Sequence, residues 1–205
     1  MEQVFGVTTS ALEAALGEVI GFRTADDSLQ AVSRRLEVLG EFRTRSKIED
    51  DPSFQQLIPY VALTCSGSVL LLERLEKGGE KRLHGKTSIG VGGHVNPEPP
   101  GEDPLLIRGL RREVEEEVVI DLDQADPPEL LGFIRDRSTD VGSVHFGLAC
   151  RIEVPERVVI RETENLVGRW IPTGDLTLFS EKMETWSRFL SPTIHAVVHG
   201  SLALE

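Results

Sequence analysis

The chain has 205 residues, 40% of them hydrophobic, which is enough to bury one sizeable core and too few for several independent domains. Charged residues make up 27%, and no apolar run approaches the ~20 residues of a spanning helix, which argues against both a disordered tail and a helical membrane protein. The 34 acids outnumber the 22 bases and leave a net charge of −12, so a broad nucleic-acid-binding face is not expected.

The first residues, MEQVFGVTTS, place an acid before any base and hold no long apolar core, so they do not read as a signal peptide, and the expected location is the cytoplasm. Leu12, Ala15, Leu16 and Val19 recur at helical spacing. Leu29, Val32, Leu36 and Leu39 do so again after Asp26-Asp27-Ser28, which predicts two short amphipathic helices. The charged stretch from Glu41 to Phe54, with Pro52 in it, reads as a surface connection. Residues 1–54 are therefore expected to form an N-terminal helical extension, suited to dimerisation or to covering a substrate, with the main domain at 55–203.

From Gln56 the run LIPYVALTC is apolar on both faces, SGS makes a turn and VLLLER follows, which predicts a hairpin of buried strands. Further strands are expected at LLGFIRD (130–136), VHFGLACRIEV (144–154) and LVGRWIP (166–172). One helix should start at Asp103-Pro104, with Asp103 as cap, and run to about Val118. Another should follow Ser180 and bury Met183, Trp186, Phe189 and Leu190. The expected class is α+β, with helices flanking a mixed sheet. Cys150 falls on the apolar side of its strand, so it and Cys65 read as core thiols, and Trp170 reads as core too.

The informative window is SIGVGGHVNPEPPGEDPLLIRGLRREVEEEVVI, residues 88–120. At about 100° per helical residue, Ile107, Leu110, Val114 and Val118 form one stripe, while Glu113, Glu116 and Glu117 share an arc of roughly 100° on another face. Three carboxylates on one rigid surface repel one another, but they suit a hard divalent cation such as Mg²⁺ or Mn²⁺. Gly109 lowers helix propensity by about 1 kcal/mol against Ala, which predicts a close neighbour there, expected to be the strand end Gly90 to Gly93.

This window resembles the Nudix box, G-x5-E-x7-R-E-U-x-E-E-x-G-U with U apolar, and Arg112-Glu113-Val114-Glu115-Glu116-Glu117-Val118-Val119-Ile120 matches its second half. With Gly93 as the opening glycine, Arg112 lies 19 positions on (112 − 93) where the pattern has 14, so the loop carries an insertion of five. Glu102 is the first choice for the isolated box glutamate and Glu98 the second, and Val119 replaces the glycine that normally follows the helix. QQLIPY, ERLEKGGEKRLHGKTSIGVGGHVN and METWS are also similar to a bacterial branch of that family described as phosphoesterases.

The resemblance implies an α/β/α sandwich that hydrolyses a phosphoanhydride bond in a small molecule, often a nucleoside diphosphate linked to another moiety. It also implies a metal held by Glu113, Glu116, Glu117 and the carbonyl of Gly92, with Arg112 orienting a glutamate. The general base stays open among Glu116, Glu117, Glu162 and Glu164. Arg74, Arg82, Lys86 and His94 are the candidate phosphate ligands, a local basic enrichment in an acidic chain. His145 reads as a sheet-surface residue, and His195 with His199 as a two-residue clip lacking a third ligand. Two other functions fit the same fold: a nucleotide-derivative sensor without turnover, and a prenyl diphosphate isomerase, which needs a reactive cysteine.

Overall fold

In the computed structural model, which describes residues 1–75, 85–161 and 166–200, the chain divides into two compact units, each assembled from three separate stretches. The first comprises Met1–Tyr60, Gly92–Arg112 and Glu129–Cys150, and the second Val61–Val91, Glu113–Pro128 and Arg151–Glu205.

Strand β1 (Gln3–Thr8) is central to the first unit. It pairs antiparallel with β3 (Glu41–Thr44), Gln3 opposite Thr44, and with the start of β4 (Phe54–Cys65), Gly6 opposite Gln56. The Thr8 hydroxyl then caps α1 (Thr9–Leu16) by accepting from the Ala11 N–H, and the helix stops at Gly17, whose φ of +77° a side chain would resist. The stop falls before Val19, which is buried outside the helix rather than on its face. After β2 (Gly21–Thr24), Ser28 caps α2 (Leu29–Leu39), and Leu29, Val32 and Leu36 are buried as their spacing predicts.

Two expectations for this region need correction. Residues 1–54 are not a purely helical extension, because they contribute β1, β2 and β3 as well. A division at residue 54 also cuts through a ladder, since Phe54, Gln55 and Gln56 pair with Thr8, Val7 and Gly6. These strands escaped the periodicity because they are short, and β1 is also interrupted by Gly6. Within the same unit β2 pairs with β9 (Glu129–Arg135), and α4 (Asp140–Ser143) leads into β10 (His145–Glu153).

In the second unit β5 (Ser68–Arg74) lies between β4 and β12 (Leu166–Pro172), with Thr64 opposite Val69 and Trp170 opposite Leu70. All 12 residues of β4 are buried, as the two-faced apolar run predicts. Beside β4 runs β10: Gln56 N–H donates to the Val144 carbonyl in the first unit and Val154 N–H to the Thr64 carbonyl in the second. Both chains advance together, so this pairing is parallel while the ladders above are antiparallel, and the expected α+β class with a mixed sheet holds. Glu184 caps α5 (Thr185–Val198) through the Trp186 and Ser187 amides. Met183 and Leu190 are buried, whereas Trp186, Phe189 and Trp170 are only half-buried. Among the described residues no helix is long and apolar enough to cross a membrane.

Candidate functional site

The helix read from the sequence is α3 (Leu105–Glu117), and its predicted stripe is buried throughout, from Ile107 and Leu110 to Val114 and Val118. Its start belongs to the first unit. The carboxylate that accepts from the Leu105 N–H is Glu37 of α2, while Asp103, the expected cap, gives its carbonyl to the Arg108 guanidinium. A Cβ on Gly109 would lie 3.2 Å from the Val95 side chain, so a close neighbour exists, but it comes just after the strand end Gly90–Gly93 rather than from it.

The loop that follows β7 (Val91–Gly92) is fastened to α3 by Arg112, whose Nε donates to Glu98 Oε1 at 2.8 Å and whose Nη2 donates to the His94 carbonyl at 2.8 Å. Asn96 Oδ1 is a weaker acceptor for the same nitrogen at 3.4 Å, and Arg108 Nε adds a second cation 3.8 Å from Glu98 Oε2. Glu98 pairs with Arg112, and Glu102 is exposed. Counting from Gly92 instead of Gly93 gives G-x5-E at Gly92 and Glu98, and the extra residues then fall between Glu98 and Arg112. The geometry therefore favours Glu98 over Glu102 as the partner that Arg112 orients.

His94 is half-buried, and its Nε2 lies 3.1 Å from Nε2 of His145, a residue the alternation of β10 had assigned to the sheet surface. Since His145 Nδ1 is 2.6 Å from the Val141 carbonyl, which can only accept, that nitrogen carries the proton and His145 Nε2 offers a lone pair. His94 consequently donates from Nε2, which commits to His145 the nitrogen that a phosphate would have met. Burial first, then the neighbouring His145 and Arg45, push the His94 pKa down to about 4, against a partial offset from Glu2.

An expected result follows from that shift. A proton refused by the folded ring is taken up by the unfolded one, so the contribution of His94 to stability is full above pH 6.5 and is lost as the pH falls towards about 4. Urea midpoints across this range should fall more steeply for the metal-free parent than for His94→Gln. Parallel curves would show that His94 is not the group involved.

The end of α3 belongs to the second unit. Glu113 and Glu117 are half-buried and Glu116 is exposed, and no basic residue stands in the last turn. The missing exit glycine is explained here: the chain passes from Glu117 directly into β8 (Val118–Val119), which pairs with β11 (Val159–Ile160). Arg161 supplies the donors a helix end needs, its N–H to the Glu117 carbonyl at 2.8 Å and its Nε to the Glu115 carbonyl at 3.0 Å. No left-handed residue is required, so Val119 is compatible with the geometry.

The donor chemistry of Glu113, Glu116 and Glu117 fits a hard divalent cation. Among the described residues, however, no group of three or more His, Cys, Asp or Glu side chains is drawn together closely enough to hold a metal by itself. Lys86 is exposed, Arg74 pairs through its backbone with Leu166, and Arg82, Glu162 and Glu164 lie outside the described residues. Both cysteines are buried, and burial pushes the Cys150 thiol far up, which leaves the isomerase reading without a reactive cysteine. Just after α5, His199 Nε2 is engaged 3.0 Å from the Thr173 hydroxyl.

No family model matches the chain. It is 34% identical over 176 residues to Protein YmaB of Bacillus subtilis (strain 168), spanning 83% of this chain and 85% of that protein. It is similar to the crystal structure of Tm1382, a protein assigned as a Nudix hydrolase, at 29% identity and a TM-score of 0.81, over 96% of this chain and 100% of that one. DR0079 from Deinococcus radiodurans shares the fold at a TM-score of 0.53 and 14% identity, over 98% of this chain and 100% of that one.

Proposed function

The chain belongs to the Nudix hydrolase family, and from that premise we propose that it hydrolyses the diphosphate bond of a nucleoside diphosphate linked to another moiety, with Mg²⁺ or Mn²⁺ held at Glu113, Glu116 and Glu117. The observation that carries this reading is the acidic end of α3, where three carboxylates crowd two helical turns with no basic residue in the last. Acids at a helix C-terminus oppose the macrodipole and repel one another, so the arrangement is a poor stability device. It suits a cation that takes one or two carboxylates and leaves its other positions to water and substrate oxygens.

Bound there, the cation would neutralise phosphate charge and lower the pKa of the attacking water. The protein's own contributions are positional. Arg112 fixes the loop from His94 to Glu98 against the first-unit part of the helix. Glu116 or Glu117 would accept the proton of the attacking water, Glu162 and Glu164 being the other two candidates for that role. Arg74 and Lys86 are the described basic candidates left to meet phosphate.

A panel of nucleoside triphosphates, dinucleoside polyphosphates, nucleotide sugars, ADP-ribose, NADH and coenzyme A, assayed with Mg²⁺ or Mn²⁺ for coupled phosphate release, tests the reading. Metal-dependent turnover of a linked nucleoside diphosphate is expected. Binding of such a compound with no turnover of any would replace the hydrolase by a sensor.

A further inference from the structure

We propose that His94 and His145 form a second cation site, one that takes a zinc-like divalent ion through imidazole nitrogen. It lies wholly within the first unit and does not depend on the hydrolase reading.

The two Nε2 atoms face each other at 3.1 Å. Imidazole nitrogens about 2.0–2.1 Å from one zinc ion stand about 2.9–3.4 Å apart for angles of roughly 90–110° at the metal. Both rings already meet that spacing. His145 is also prepared as a ligand: its Nδ1–H is anchored on the Val141 carbonyl at 2.6 Å, the arrangement that turns the Nε2 lone pair of a metal-bound histidine towards its ion. Without the ion the same contact is a hydrogen bond from His94. On binding, the His94 proton leaves Nε2 and returns through solvent to Nδ1 of the same ring, so the ligand set stays neutral.

A separate observation points to the same place. Gln56 is completely buried, and among the described residues neither its amide oxygen nor its amide nitrogen has a hydrogen-bond partner. Its N–H bonds the Val144 carbonyl, and in a parallel ladder this sets Gln56 directly beside His145. A buried carboxamide left unpaired is destabilising, and a water on the cation would supply its partner. Among the described residues no third histidine, cysteine or carboxylate completes the group, so the remaining positions fall to water or to an oxygen of a bound ligand. Imidazole selects zinc-like ions, whereas Mg²⁺ prefers oxygen, and the two proposed sites should therefore fill independently.

Zn²⁺ titrated calorimetrically into the full chain in excess Mg²⁺ should bind at one equivalent. His145→Gln should weaken it by more than the about 10- to 100-fold typical of losing a supporting partner, and Glu116→Gln should leave it unchanged. If the parent takes up no zinc under these conditions, or if Glu116→Gln abolishes uptake while His145→Gln does not, the site is wrong. Should His145→Gln fail to fold, Cu²⁺ on the parent decides: its paramagnetic resonance spectrum should show coupling to two imidazole nitrogens, and coupling to none overturns the proposal. Failure of either measurement leaves the substrate panel unaffected.

Discussion

Neutralising Glu116 or Glu117 as Gln is expected to lower turnover of the best substrate by at least about 10²-fold, the scale of losing one catalytic electrostatic group. Stability should move the other way. Each substitution removes a like charge from the C-terminal turns of α3, where charge repulsion and the helix dipole both disfavour it. The metal-free melting temperature should therefore stay level or rise. Added Mg²⁺ should raise the melting temperature of the parent and raise that of the variants less, since a ligand stabilises only through its affinity for the native state. Scanning calorimetry with and without Mg²⁺, beside steady-state kinetics, checks all three. Variants that hydrolyse as fast as the parent would return the acidic face to ordinary solvated surface.

The second large effect belongs to Arg112. Its side chain holds Glu98 and the His94 carbonyl at once, and Glu98 is only 16% exposed. Arg112→Met leaves both acceptors with poorer partners and should cost about 1–3 kcal/mol of stability. Arg108, 3.8 Å from the same carboxylate, limits the loss. Because Arg112 immediately precedes Glu113 on α3, turnover should fall as well, by about 10- to 100-fold, as is usual for a partner that orients ligands. Urea midpoints of Glu98→Gln and Glu102→Gln discriminate the two glutamates: the first should approach the Arg112 variant and the second should resemble the parent. Equal effects at both positions would leave no ground for preferring Glu98 to Glu102.

What the sequence made legible was whatever repeats with a period. The stripe Ile107, Leu110, Val114 and Val118 fixed both the extent of α3 and its acidic face, and the run from Gln56 to Cys65 announced a strand buried on both sides. Spacing failed where the chain carries an insertion. Between Gly92 and Arg112 the count alone could not choose Glu98 over Glu102, and only the reach of the Arg112 guanidinium separates them. The partnership of His94 and His145 was hidden for another reason: they are 51 positions apart, and alternation along β10 reports a face without saying what lies against it. Short strands such as β2 and β3, four residues each, offer too few alternations to register.

The interleaved make-up of the two units bears on how the chain can acquire its structure during synthesis. The first unit closes only when Glu129–Cys150 is available, although its opening stretch ends at Tyr60. At about 5–20 residues per second on the ribosome, β1 and the start of β4 wait many seconds for the remainder of that unit. Through that interval the apolar β4 segment lacks its β10 neighbour, and the contacts to be made join sites far apart along the chain. Acquisition of structure is thus postponed to the late stages of translation, and the nascent polypeptide is one for which holding chaperones would matter.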